Sequence, residues 1–128
     1  MAIEGLNHFT VLTEDLDASV EFYQSVLGLT PGWRPPFAFP GAWLYCGTLP
    51  VLHLIAGRGA PDGQGIIDHV AFNAADLRET ISILKSRGVG YTLRRQPGTG
   101  EWQVFCHDPS GARVELDFSS AEPPPEGG

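Results

Sequence analysis

Four side chains of types that bind divalent metals recur at matching places in this chain: His8, His53, His69 and Glu115. Asn7-His8-Phe9-Thr10-Val11 runs through Asp15-Leu16 to Ser19-Val20. Asp68-His69-Val70-Ala71-Phe72 then runs through Asp76-Leu77 to Thr80-Ile81, at a constant offset of 61 positions (8 to 69, 15 to 76, 19 to 80). Aligning Leu52-His53-Leu54 with Val114-Glu115-Leu116 pairs the other two. Neutral imidazole and carboxylate are ligands for zinc, iron, manganese, cobalt or nickel, and two histidines with one carboxylate form the facial triad of non-haem iron oxygenases. A histidine repeated in both copies of a strand points to a metal held between two halves.

Strand and helix periodicities place these residues. Alternate residues of a strand face opposite sides. Phe9 and Val11, Leu52 and Leu54, Val70 and Phe72, and Val114, Leu116 and Phe118 form apolar sets suited to a helix-packed face. The other parity carries His8, His53, His69 and Glu115, away from the helices. The pattern reads as strand, helix and three strands, twice over. Leu6 to Leu12 alternates as a strand. Asp15 caps a helix over about 16–27, with Leu16, Val20, Tyr23 and Leu27 at helical spacing and Gly28 as its stop. Strands are expected near 29–33, over 42–46 and over 51–56. The second copy has strands over 66–73, near 89–94, over 102–107 and over 112–118, with a helix capped by Asp76 and running to about Arg87. This is α+β, one domain over 1–118, with module one at 3–57, a glycine-rich linker at 58–65 and module two at 66–118. The Pro-, Glu- and Gly-rich tail 119–128 is expected to be disordered.

Composition narrows the function. The chain has 128 residues and a net charge of −7, with only 8 Lys and Arg. That is too few for a basic face against phosphates, so nucleic acid is not an expected partner. No apolar run approaches the ~20 residues of a membrane helix and no signal segment opens the chain, so a cytoplasmic protein without a membrane partner is expected. Cys46 and Cys106 lie in expected strands and read as small buried hydrophobes rather than a disulfide framework. The segment from Trp33 to Trp43 holds Pro35, Pro36 and Pro40, and its aromatics, Trp43 among them, suit the wall of a substrate pocket. Arg34 is its candidate anchor for a substrate carboxylate or phosphate.

Gly5-Leu6-Asn7-His8-Phe9, the run from Asp15 to Tyr23, Val26-Leu27-Gly28-Leu29 and Asp108-Pro109-Ser110-Gly111-Ala112-Arg113-Val114-Glu115 together resemble the vicinal oxygen chelate superfamily over residues 3–118. That superfamily includes glyoxalase I, extradiol dioxygenases, fosfomycin-resistance enzymes, methylmalonyl-CoA epimerase and metal-free bleomycin-binding proteins. The resemblance implies two tandem βαβββ modules forming a cupped, partly closed mixed sheet with helices outside, around one divalent ion. It implies His8, His69 and Glu115 as metal ligands, a small-molecule substrate chelating through vicinal oxygens, and a homodimer. His53 falls where glyoxalase and epimerase types carry a fourth ligand and near where extradiol enzymes carry an acid–base histidine. A histidine there favours extradiol dioxygenation with Fe(II), His53 moving the proton; Mn(II), Zn(II), Ni(II) or Co(II) suit the same donors. Phe105 stands where those dioxygenases usually place a tyrosine, and Gln103, of the same parity, is a candidate substitute contact to substrate. The alternatives are a glyoxalase- or epimerase-type isomerase or lyase, in which His53 is the fourth ligand, and a metal-free binding protein. Fosfomycin-type thiol transfer is disfavoured by the lack of an evident cationic cluster.

Overall fold

Each repeat folds as strand, helix and three strands. The structure, a computed structural model, describes residues 6–57, 67 and 69–125. The chain divides into two units, Met1–Asp62 and Gly63–Gly128. The first holds β1 (Phe9–Thr13), α1 (Leu16–Ser25), β2 (Thr30–Gly32), β3 (Gly41–Cys46) and β4 (Leu49–Ala56). The second holds β5 (Val70–Asn73), α2 (Leu77–Ser86), β6 (Tyr91–Arg95), β7 (Trp102–His107) and β8 (Arg113–Phe118). The expected linker 58–65, Ile66 and Asp68 of the expected strand, and 126–128 lie outside the described residues.

The two sheets repeat one topology. Their orders are β1-β4-β3-β2 and β5-β8-β7-β6. In each, the first strand pairs in parallel with the last, and the remaining neighbours are antiparallel. The fold is therefore α+β, as the sequence pattern implies. The apolar parity is the buried one: Val11, Leu44, Leu52 and Leu54 in unit one, and Val104, Val114, Leu116 and Phe118 in unit two. Each such side chain contributes about 1.5–3 kcal/mol when fully buried.

The helices begin where their caps require. Asp15 accepts from the Ala18 N–H at 3.0 Å and Asp76 from the Glu79 N–H at 3.2 Å, the same reach at the same offset. Such caps are worth about 1 kcal/mol each. Gly28 takes φ 73°, and the Leu29 N–H then closes back on the Tyr23 carbonyl, ending α1 as expected. The buried face of α1 differs from the expected one. Ser19, Phe22 and Tyr23 are buried, whereas Leu16 and Val20 are only half-buried. Ser19 is small enough to close on β1, where its hydroxyl bonds the Thr13 hydroxyl at 2.8 Å, and this turns the helix toward Phe22.

Two expectations are corrected here. Cys46 is exposed, because the β3–β4 register slips between Leu44 and Cys46 at the end of the strand; Cys106 is buried as expected, and burial pushes its thiol up to about 11. Residues 119–125 are ordered against unit two. The Glu122 carboxylate accepts from the Asp76 and Leu77 N–H groups at 3.1 and 2.6 Å, and its carbonyl accepts from the Trp102 indole at 3.0 Å. A carboxylate at the unsatisfied amides of a helix N-terminus meets both orphan donors and the helix dipole. Asp76 adopts φ 69° there, a left-handed conformation that Asp tolerates better than most residues.

Candidate functional site

Unit one brings together His8, His53 and Trp43. In the parallel β1–β4 ladder His53 lies opposite Thr10, and in the antiparallel β3–β4 ladder it lies opposite Trp43. The His53 imidazole is stacked between two rings, Trp43 at 3.9 Å and 4° and His8 at 3.8 Å and 17°. His8 Nδ1 lies 2.7 Å from the Asn7 side-chain oxygen. His53 Nε2 is buried, with no hydrogen-bond partner among the described residues. Its pKa is lowered by burial and by the neighbouring His8, against a hydrogen bond to the Pro50 carbonyl that raises it. Burial thus favours the neutral form of the His53 imidazole.

Unit two brings together His69, Glu115, Gln103 and Phe105. Glu115 lies opposite Ala71 on β5 and Phe105 on β7. His69 Nε2 stands 3.1 Å from Glu115 Oε1, and the Gln103 amide donates to Glu115 Oε2 at 3.3 Å. Glu115 is only 8% exposed, and its pKa is raised, chiefly by burial and then by Asp117, while His69 and Gln103 pull it down. Phe105 meets His69 edge-on, with centroids 6.3 Å apart.

The registers of the two units correspond. His53 and Glu115 each stand opposite the residue two places after the repeated histidine, and Trp43 and Phe105 each stand opposite that donor on the adjacent strand. The repeat in sequence is therefore a repeat in pairing, with one donor pair on each sheet. Among the described residues no group of three or more His, Cys, Asp or Glu gathers at one point; the four expected ligands are met as His8 with His53 and His69 with Glu115.

Arg34, the expected substrate anchor, makes its contacts with the loop that carries it. Its Nη2 donates to the Phe39 carbonyl at 2.8 Å and its guanidinium lies about 5 Å from the Phe37 and Phe39 rings, so its contacts are within its own loop. The basic residues that the sequence reading overlooked are Arg94 and Arg113. Arg94 Nε donates to the Gln103 oxygen at 2.8 Å, and both guanidiniums lie over the Phe105 ring, at 5.7 and 4.5 Å. A cationic pair does exist beside Glu115. Its signal was present, since Arg113 precedes Glu115 by two and shares its parity, but Arg94 joins it only through the β6–β7 register.

Known proteins share the repeated fold. A family model described as Glyoxalase/Bleomycin resistance protein/Dioxygenase superfamily matches residues 5–116. The chain is 31% identical over 126 residues to a protein named Glyoxylase I 4 from Arabidopsis thaliana, covering 89% of this chain and 70% of that protein. It is 32% identical over 124 residues to Glutathione transferase FosA from Serratia marcescens, covering 92% and 83%. Among solved structures, a lactoylglutathione lyase from Agrobacterium tumefaciens superposes with a TM-score of 0.70 at 22% identity, covering 94% and 97% of the two chains. A fosfomycin resistance protein, FosX, from Listeria monocytogenes, complexed with Mn(II) and 1S,2S-dihydroxypropylphosphonic acid, gives 0.76 at 18% identity, covering 92% and 94%. With the match spanning both repeats and two relatives above 30% identity, the chain belongs to the Glyoxalase/Bleomycin resistance protein/Dioxygenase superfamily.

Proposed function

We propose that this chain is a divalent-metal-dependent enzyme of glyoxalase type, an isomerase or lyase acting on a small substrate that chelates through two vicinal oxygens. The observation that carries this reading is the pair of register-equivalent donor sets, His8 with His53 and His69 with Glu115. The Fe(II) extradiol reading expected from His53 loses its support: the relatives are named for glyoxalase and glutathione transfer, and Phe105 lacks a hydroxyl to meet a bound catecholate.

The donors fit an ion. Two donors each about 2.1 Å from one ion at right angles are about 3.0 Å apart, and His69 Nε2 and Glu115 Oε1 stand at 3.1 Å. His53 Nε2 is a buried acceptor that nothing in the described protein satisfies, the state of a ligand atom awaiting its ion. His8, His53, His69 and Glu115 are the proposed ligands, with manganese, zinc, nickel, cobalt or iron all compatible. When bound, the ion supplies Lewis acidity toward the two substrate oxygens.

The chain's own residues do the rest. Gln103 holds Glu115 Oε2 and so aims Oε1 toward His69. Burial and Asp117 raise the Glu115 pKa, while His69 and Gln103 lower it, so a proton would compete with an ion for this carboxylate. Trp43 packs flat on His53 and keeps water off one face of that ring. Phe105 forms the corresponding wall beside Glu115.

The test is metal-free protein loaded separately with Ni(II), Mn(II), Zn(II) and Fe(II). Each form is assayed for isomerisation of 2-oxoaldehyde–thiol adducts, epimerisation of acyl thioesters, thiol addition and dioxygen uptake. Metal-dependent isomerisation or epimerisation, lost in His69→Ala, is expected. Dioxygen uptake confined to Fe(II) refutes the glyoxalase type, and failure to bind any of the metals refutes the enzyme.

A further inference from the structure

The loop between β2 and β3 holds three large rings in water. Trp33, Phe37 and Phe39 are 70%, 45% and 42% exposed, three of the six large apolar side chains exposed among the described residues. Single exposures are ordinary on a protein surface, but three within seven residues form a patch. The rings touch one another rather than splaying apart. Phe37 stacks on Phe39 with centroids 5.1 Å apart and planes 12° apart, and Trp33 and Phe37 both meet the half-buried Trp43, at 6.2 and 6.4 Å. Trp43 in turn lies flat on the proposed ligand His53. A continuous run of aromatic contacts therefore leads from the exposed loop to that imidazole.

The protein itself holds the loop in this form. At Gly32 the Tyr45 ring occupies the space a side chain would need, and the Tyr45 hydroxyl donates to the Trp33 carbonyl at 2.6 Å. Gly41 passes against the Leu54 carbonyl and the Arg34 guanidinium with no room for a Cβ, and the Ala56 N–H donates to the Pro40 carbonyl at 3.0 Å. Pro35, Pro36 and Pro40 fix three backbone φ angles. Arg34, the one charged residue between Thr30 and Cys46, is turned inward: its Nη2 bonds the Phe39 carbonyl, and its guanidinium lies 5.0 and 4.9 Å from the Phe37 and Phe39 centroids. A surface fixed beforehand loses little conformational freedom when a ligand docks on it.

We propose that Trp33, Phe37 and Trp43 form a subsite for an uncharged aromatic group of the substrate. This deepens the reading of the chain as a metal-dependent enzyme and rests on it for the word substrate; the binding of an aryl group does not. Rings prefer offset or edge-on partners at centroid separations of about 4.5–7 Å, the range these side chains already keep among themselves. With the loop's cation turned inward and a net charge of −7, a neutral occupant suits the surface better than an anion. A second copy of the chain is a poorer fit. The exposed area of the three rings is on the order of 350 Å², less than half of the roughly 800 Å² that each partner buries in a stable interface. The run of contacts to His53 also gives a small ligand a direction, with its ring on the loop and its oxygens toward His53.

The test follows the indole N–H resonances by NMR in the metal-free full-length chain, titrated with 2-naphthalenemethanol and, separately, with its saturated decahydro counterpart. Saturable shifts of the Trp33 and Trp43 signals are expected, about threefold or more tighter with the aromatic probe. The Trp102 indole, bonded to the Glu122 carbonyl, should stay in place. Trp33→Ala and Phe37→Ala should each weaken naphthyl binding about fivefold or more. Leu49→Ala, which truncates an exposed side chain elsewhere in unit one, should not. Absence of a saturable shift, equal or tighter binding of the saturated probe, or binding that survives both loop substitutions together overturns the subsite. Sedimentation of the same samples reads the other occupant: a dimer abolished by Trp33→Ala assigns the patch to a second copy and likewise overturns it. Calorimetric metal binding, measured alongside, separates the failures. Metal binding without aryl binding rejects the subsite and keeps the enzyme; aryl binding without metal keeps the site and rejects the enzyme.

Discussion

Replacing His53 with Phe should make the metal-free protein more stable and the metal-loaded protein weaker. The phenyl ring fills nearly the same space and keeps the stack between Trp43 and His8. What it removes is a buried nitrogen without a partner. A buried polar atom left unsatisfied costs about 1–3 kcal/mol, and the hydrogen bond to the Pro50 carbonyl that is lost with it was worth about 1 kcal/mol. The net is a gain of about 1 kcal/mol, or a rise in Tm of about 3–5 °C for a chain of this size. The gain should widen in acid. Because the folded pKa of His53 lies below its unfolded value of about 6.5, the stability this residue contributes is present above that pH and is lost as pH falls through the window below it. Phenylalanine does not titrate. Metal affinity should move the other way, by more than the ~10–100-fold that loss of a supporting residue costs. Thermal melts of the metal-free form at several pH values and calorimetric titration with Ni(II) and Zn(II) read both quantities. Unchanged metal affinity refutes His53 as a ligand, and a lower Tm in the metal-free protein refutes the unsatisfied nitrogen as a cost.

The same opposition applies to Glu115→Gln. The raised pKa of Glu115 means that its charged form is disfavoured in the fold, so its contribution is present below the unfolded pKa and lost as pH rises through the folded one. The amide should therefore raise the metal-free Tm near neutral pH, with the advantage fading as pH falls toward the ordinary glutamate range, while metal binding is abolished. Gln103→Leu removes a group that lowers the Glu115 pKa, so the pH midpoint of metal binding by calorimetry should shift upward; an unmoved midpoint refutes the positioning role. Glu122→Ala leaves the Asp76 and Leu77 amides to water, and should cost about 1–2 kcal/mol in chemical denaturation. No change there would show the ordered tail to be passive.

What was legible in the sequence is what strand parity and duplication carry. His8 and His69 could be paired because the offset holds through the capping aspartates, and His53 and Glu115 because both are flanked by apolar residues of the buried face. Those relations are one-dimensional. The features that escaped are set by contacts between strands or with the tail. Arg94 reaches Phe105 only through the β6–β7 pairing, nine residues away from Gln103 in sequence. Cys46 is turned out by a slip in register that no local pattern announces. Ser19 displaced the expected Val20 because a hydroxyl pair at Thr13 admits closer approach than two branched side chains. Glu122 sits in a segment whose composition suggests disorder, yet it is the partner for two helix amides that the sequence leaves unassigned.

The divergence between the repeats has its own chemical sense. Identical registers carry different donors: in unit one a neutral imidazole under an indole, in unit two a buried carboxylate beside a phenyl ring with two guanidiniums over it. Three neutral imidazoles and one carboxylate around a divalent ion leave one net positive charge, so the proposed donor set favours a substrate whose oxygens are negative or become so. In the proposed enzyme the two registers would therefore divide the work, the first bringing neutral imidazole and the second the one charged donor.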